Sequence, residues 1–334
     1  MKTLYLVTGA AGYLGGEVCR QLVSRGLAGR ALVLPGDKTA KFIPQEIEQC
    51  VGDLCDAESL KKFFRVEADV ETIVLHCASM VALGNERREL VMKVNVQGTQ
   101  NIIDQCIAHP ECKKLVYVGS TGSIPELPKG QKMKEPERFE PDESLGVYGQ
   151  SKAMATQLVL DAAKNGLNAC VVMPSGILGP GDAACGPVTS SLLMQMQGKV
   201  SVGMKGTFNL CDVRDLANAL FLAVENGKAG EVYILANEAV SYPEFAKLVA
   251  QEGHCKKPLF YMPISMANFA ADMLEKQAKK EGKKPAITRY EVYNLARNNE
   301  FDSSKARREL GYTSRSYRET IHDEIVWMKQ NNMC

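Results

Sequence analysis

The 334-residue chain predicts an α/β fold, a doubly wound parallel sheet with a smaller, mostly helical C-terminal region, on three observations. From residue 3 to about 180, short β-branched runs alternate with longer helical stretches, the order in which parallel strands and crossover helices succeed one another. The first of those runs passes straight into a glycine-rich turn that opens a helix. Beyond residue 180 the alternation fades into helices, loops and scattered short strands.

The strands fall at 3–8 (TLYLVT), 30–34, 48–52, 71–76, 114–119 and 168–173. Their Val, Ile and Leu content suits strands buried on both faces of a parallel sheet. Helical patterns lie between them at 15–25, 57–65, 87–108 and 148–164. The segment 125–146 holds four prolines and many charges, so it reads as an exposed loop that borders a site. In the C-terminal half, VYILA at 232–236 reads as a strand. The stretch 262–281 reads as an amphipathic helix with Phe269 and Met273 on one face, either a lid or a docked helix. The organisation expected is 1–180 as the sheet domain and 181–334 as a substrate-binding region interleaved with it.

Composition narrows the function classes. Hydrophobic residues make up 45% and charged residues 24%, the balance of a folded globular protein. A net charge of +1 argues against nucleic acid and anionic membrane as partners and leaves a small molecule. No run approaches the ~20 apolar residues of a spanning helix, and the N-terminal apolar stretch breaks into glycines too early for a signal peptide. The 11 cysteines are scattered, with no C-x-x-C and no histidine at ligand spacing, which fits reduced cytoplasmic thiols and no metal site.

The chemistry starts at Gly9, Gly12 and Gly15, a G-x-x-G-x-x-G turn between strand and helix. Glycines there let a pyrophosphate approach the helix N-terminus, whose free amides and dipole favour negative charge. The fold is then a dinucleotide-binding Rossmann sheet. In such folds an acid at the end of the second strand binds a ribose 2′-hydroxyl, and basic residues accommodate a 2′-phosphate. Here Leu34 and Pro35 occupy that end, and Asp37 is followed by Lys38 and Lys41, so the cofactor is NADP or NAD with a lean to NADP. The lysines read equally as a solvated loop. Tyr148 stands four residues before Lys152, one helical turn apart, where an ammonium would lower a phenol pKa and fit it for proton transfer. Ser120, Thr121 and Ser123 follow a strand, where they hold a substrate oxygen or cap the next turn.

Together the segments resemble the extended short-chain dehydrogenase/reductases, in the epimerase/dehydratase superfamily. They are TGAAGYLG, GDL at 52–54, HCAS at 76–79, VNVQGTQN at 94–101, the serine after VYVG, YGQSK at 148–152, MPSGILGPGD at 173–182 and FDSSKARRELGY at 301–312. The resemblance implies a catalytic tetrad of Asn95, Ser120, Tyr148 and Lys152. It also implies a cofactor bed of Gly9, Gly12, Tyr13, Leu14, Gly15, Asp53, Leu54, Ala78, Ser79, Tyr148, Lys152 and Pro174 to Ile177. A homodimer through helices matching 87–108 and 148–164 is the family's usual state.

Thr121 stands where the dehydrating members of that family carry an acid, and Gly176 where its sugar epimerases carry an asparagine. The form MPSGILGPGD is similar to the dihydroflavonol reductase and 3β-hydroxysteroid dehydrogenase branch. The function this implies is interconversion of a carbonyl and a secondary alcohol on a bulky apolar substrate, with nucleotide-sugar epimerase as the alternative. Met173, Met194, Met196, Met204, Met262, Met266 and Met273 either line a pocket for such a substrate or fill irregular core. A dinucleotide sensor without chemistry is the reading from a different class, and the presence of both Tyr148 and Lys152 speaks against it.

Overall fold

The computed structural model of the chain describes residues 2–81, 88–282 and 287–333, so Arg87, where the sequence starts its third helix, lies outside the described residues. In the first half the chain runs β1 (Lys2–Thr8), α1 (Tyr13–Ser24), β2 (Ala28–Val33), β3 (Glu48–Val51), α2 (Ala57–Phe64), β4 (Val70–His76), α3 (Arg88–Met92), α4 (Gly98–Ala108), β5 (Cys112–Val118), α5 (Gly146–Lys164) and β6 (Ala169–Pro174). Each strand lies within two residues of its expected position. The second half adds β7 (Gly176–Leu178), α6 (Pro187–Met196), β8 (Val202–Met204), β9 (Thr207–Asp212), α7 (Val213–Asn226), β10 (Val232–Leu235), β11 (Ala239–Ser241), α8 (Tyr242–Gly253), β12 (Phe260–Met262), α9 (Ile264–Glu281), α10 (Arg289–Ala296), α11 (Ser304–Leu310) and α12 (Tyr317–Gln330).

The main sheet is parallel, in the order β10-β6-β5-β4-β1-β2-β3. The chain winds outward from β1 to β3, then returns to β4 and winds the other way, so the topological switch point falls between β1 and β4. The sheet has one strand more than the six expected of the N-terminal half. The fully buried run Val232–Leu235 pairs with β6 and closes that edge. A three-stranded sheet, β11-β9-β7, and the pair β12-β8 build the smaller region.

Strand alternation divides the core between the two faces of the main sheet. Leu6, Val74, Leu115, Tyr117, Val171 and Ile234 pack on one face with residues of α2, α4 and α5. On the other, Val7, Leu75, Val116, Val118, Val172 and Leu235 pack with residues of α1, α7 and α11. Local chemistry sets several helix starts. The Asp56 carboxylate caps α2 by accepting from the Glu58 amide, Ser316 caps α12, and Thr288 with Glu291 forms a full capping box on α10. No helix of the described residues is long and apolar enough to cross a membrane. The ten cysteines among the described residues are free thiols, and no cluster of potential metal ligands occurs among those residues.

Candidate active site

The site assembles at the carboxyl ends of β1, β4, β5 and β6, on both sides of the switch point. At the end of β1 the backbone of Gly9 turns through φ +69°, and the Gly12 amide closes the turn by donating to the Gly9 carbonyl at 2.9 Å. A Cβ on Gly15 would sit 2.1 Å from that same carbonyl, and one on Gly9 would sit 2.7 Å from the Ala78 amide nitrogen. The turn is therefore a cradle that side chains would fill, and the amides of the first turn of α1 open into it. These features fit a dinucleotide pyrophosphate. Tyr13, the first residue of α1, donates its phenol proton to the Gly179 carbonyl. Leu14 is buried in the core, so only its backbone faces the cradle.

The other residues expected at the cofactor line the same edge. Asp53 follows β3 and accepts from the Cys55 amide at 2.8 Å, while Leu54 is buried beneath Gly98. Ala78 follows β4 and donates its amide to the Thr8 hydroxyl at 3.2 Å. Pro174 ends β6 and accepts from the Thr121 hydroxyl at 3.3 Å, and Ile177 is half-buried on β7. At the end of β2, Leu34 is exposed, and the Asp37 carboxylate caps the following turn at the surface by accepting from the Thr39 amide at 2.8 Å.

Between α3 and α4 the helix widens into a single π turn, Lys93–Gln97, with Asn95 at its centre. Such turns recur at functional sites because they shift one side chain out of the helical register. The Asn95 side chain is buried and fully engaged: its oxygen accepts from the Met80 amide at 2.7 Å and the Ser79 hydroxyl at 3.3 Å, and its nitrogen donates to the Met80 carbonyl at 3.0 Å and to the Ser151 hydroxyl at 2.9 Å. Asn95 thereby ties the segment after β4 to α5.

Tyr148 and Lys152 both lie on α5, as expected, but they face different partners. The Tyr148 phenol lies between the hydroxyls of Ser120 and Ser79. Burial raises its pKa, with the neighbouring Tyr290 adding to the rise and the two serine hydroxyls opposing it. The Lys152 ammonium is 2% exposed and donates to the Val118 carbonyl at 2.7 Å and to the Tyr117 phenol at 3.1 Å. The expected lowering of the Tyr148 pKa by Lys152 is thus corrected, because burial dominates at the phenol and the ammonium is held by β5. Of the two roles expected of Ser120 the structure shows the cap: its hydroxyl accepts from the Gly122 amide at 3.1 Å, and the same residue faces Tyr148.

A cavity of about 440 Å³ opens beside this group, lined by Leu145, Asn268, Arg289, Tyr290, Tyr293 and Ala296. Tyr290 packs on Gly146 at the start of α5, which places the cavity wall within a turn of Tyr148. Sequence reading named none of these wall residues singly, but two of the segments it singled out supply them: the loop 125–146 gives Leu145 and the helix 262–281 gives Asn268. That helix, α9, buries Ala267, Ala271 and Ala278 and turns Phe269 and Met273 outward, so its larger apolar residues do not cover the site. The methionines do not share a lining either: Met173 is in the sheet core, while Met194, Met266 and Met273 are exposed.

Fold and site define a nicotinamide-dependent oxidoreductase of the extended short-chain dehydrogenase/reductase class. The chain belongs to the NAD dependent epimerase/dehydratase family, whose model matches residues 5–236. It is 28% identical to sterol demethylase protein B of Methylococcus capsulatus, over 98% of this chain and 99% of that protein. It is 29% identical to a decarboxylating sterol-4-alpha-carboxylate 3-dehydrogenase of Schizosaccharomyces pombe, over 97% and 96% of the two chains. The crystal structure of gox2253 superposes with a TM-score of 0.85 at 30% identity, covering 99% of each chain.

Proposed function

We propose that the protein interconverts a carbonyl and a secondary alcohol on a bulky, mostly apolar substrate, using Tyr148 as proton donor or acceptor. One observation carries the reading: the Tyr148 phenol, beside the Ser120 and Ser79 hydroxyls, neighbours Tyr290, which walls a cavity with Leu145, Tyr293 and Ala296 and the polar Asn268 and Arg289. Relatives named for sterol chemistry agree with such walls.

In this reading the bound dinucleotide supplies or accepts the hydride. Ser120 and Tyr148 hydrogen-bond the substrate oxygen, and Tyr148 moves the proton. Burial keeps the phenol protonated at neutral pH, which suits proton donation to a forming alkoxide. Lys152 would hold the ribose hydroxyls of the bound dinucleotide, and Asn95 fixes the strap that carries Ser79. NADPH is the preferred cofactor on this reading, because the one acid near the end of β2, Asp37, is committed to Thr39 and the exposed residue at the strand end is Leu34.

Epimerase chemistry has less support. A Cβ at Gly176 would lie 2.4 Å from the side chain of buried Leu210, so an asparagine there displaces core. Thr121, at the position of the acid in dehydrating members, is buried and bonded to Pro174. The test follows nicotinamide absorbance with NADPH and NADH against 3-ketosteroids, flavanonols, simple ketones and aldehydes, with nucleotide sugars assayed for isomerisation. Net oxidation with a bulky ketone, faster with NADPH, is expected. Isomerisation of a sugar without net cofactor change would overturn the assignment.

A further inference from the structure

Behind the site, a chain of buried polar side chains crosses from β1 to α5. Thr8, His76, Thr99 and Tyr117 are each at most 1% exposed, and Lys152 is 2% exposed. The contacts are Thr8 Oγ1 to His76 Nδ1 at 2.6 Å, His76 Nε2 to Thr99 Oγ1 at 3.1 Å, Thr99 Oγ1 to the Asn95 carbonyl at 2.6 Å and Lys152 Nζ to the Tyr117 phenol at 3.1 Å.

Each proton in this chain has one acceptor available. The Thr8 oxygen takes the Ala78 amide proton, so its own proton goes to His76 Nδ1. Burial, with Lys152 nearby, pulls the His76 pKa down to about 3, and the neutral ring therefore carries its proton on Nε2 and donates to Thr99. A carbonyl only accepts, so the Thr99 proton goes to Asn95.

We propose that Tyr117 is a positioning residue for Lys152: its phenol oxygen accepts from the lysine and, with the Val118 carbonyl, holds the ammonium against β5. This rests on the role given to Lys152 in the proposed function and adds the residue that fixes it. The ring itself contributes, since the ammonium also lies 4.7 Å from its centroid. Titratable groups around Lys152 are Tyr117 on β5, His76 and Cys77 at the end of β4, and Tyr148 on its own helix. His76 is neutral, and burial pushes the Cys77 thiol up, so neither offers Lys152 a counter-charge at neutral pH. Burial brings Lys152 itself down to about 7, which makes its protonation sensitive to each acceptor it keeps.

The test titrates Lys152 directly by NMR of protein carrying ¹³Cε-lysine, the resonance being assigned by its loss in Lys152→Met. Removing one acceptor from an ammonium lowers its pKa, so Tyr117→Phe is expected to move the midpoint down by about one pH unit. Tyr117→Met, which removes both the phenol and the ring beside the ammonium, is expected to move it at least as far in the same direction. A role in packing alone would lower the melting temperature and leave the midpoint in place. An unmoved midpoint in folded Tyr117→Phe overturns the proposal, and if that variant does not fold, an unmoved midpoint in Tyr117→Met does so. The titration needs no substrate, so a wrong substrate assignment leaves its outcome intact.

Discussion

The Tyr13 phenol donates to the Gly179 carbonyl, and this one bond joins the glycine turn at the start of α1 to the loop after β7. Both segments flank the dinucleotide cradle, and Gly179 itself adopts φ +121°, a backbone shape that side chains rarely allow. Tyr13→Phe keeps the ring and removes the bond. The expected cost is about 1 kcal/mol of stability, with weaker dinucleotide binding because the loop is no longer held. Urea denaturation and a fluorescence titration with NADPH check the two effects. Wild-type affinity in the variant would mean that the loop is positioned by packing alone.

Tyr148→Phe separates chemistry from binding. The phenol is the one group placed between Ser120 and Ser79 to exchange a proton, and the cradle at Gly9 to Gly15 does not involve it. Turnover is expected to fall by roughly 10²–10⁴, while NADPH affinity stays near the wild-type value. Steady-state kinetics beside a binding titration provide the measurement, and retained turnover would remove Tyr148 from the mechanism.

Gly15→Ala addresses the cradle itself. The new methyl would lie 2.1 Å from the Gly9 carbonyl, which is backbone and cannot swing aside. Helix and turn must separate, at a cost of about 1–3 kcal/mol, and the cradle opens as they do. Loss of dinucleotide binding together with a lower melting temperature is expected. An alanine variant that binds NADPH normally would show that the turn tolerates more movement than its contacts allow.

Much of this site is readable before folding because its residues sit in short local patterns. The turn at Gly9 to Gly15, the Tyr148 to Lys152 spacing and the serine after β5 are each one strand end or one helical turn. What sequence could not supply is pairing across elements. His76 lies 68 residues from Thr8, and Lys152 lies 35 from Tyr117. Thr8 and Tyr117 read alone as strand residues, and nothing in the sequence pairs them with His76 and Lys152; only the packing of the strands and α5 brings them together. The cavity walls were hidden for another reason: Asn268, Tyr290 and Tyr293 belong to the C-terminal half, where no regular alternation announces what packs against what. Likewise β10 was visible as an apolar run, but its place beside β6 follows from burial on both faces of the sheet.

Glu324 on α12 links pH to stability. It is fully buried, and neither carboxyl oxygen makes a well-formed hydrogen bond among the described residues, although the Thr189 hydroxyl and the Gly179 backbone lie near enough to oppose the rise in its pKa. Burial, reinforced by Asp182 and Asp212, pushes its pKa from 4.5 up to about 8. The folded chain therefore holds this proton more tightly than the unfolded chain. Stability from the protonated group is complete below pH 4.5, falls as pH rises towards about 8, and is lost above it. The slope from this group alone is at most about 1.4 kcal/mol per pH unit. Glu324→Gln keeps the shape without a titrating proton, so its advantage over the wild type is expected to grow steadily from about pH 5 to about pH 8. Denaturant unfolding of both proteins at several pH values across that range measures the difference. A constant difference would show that the Glu324 carboxyl titrates at the same pH in the folded and unfolded chains.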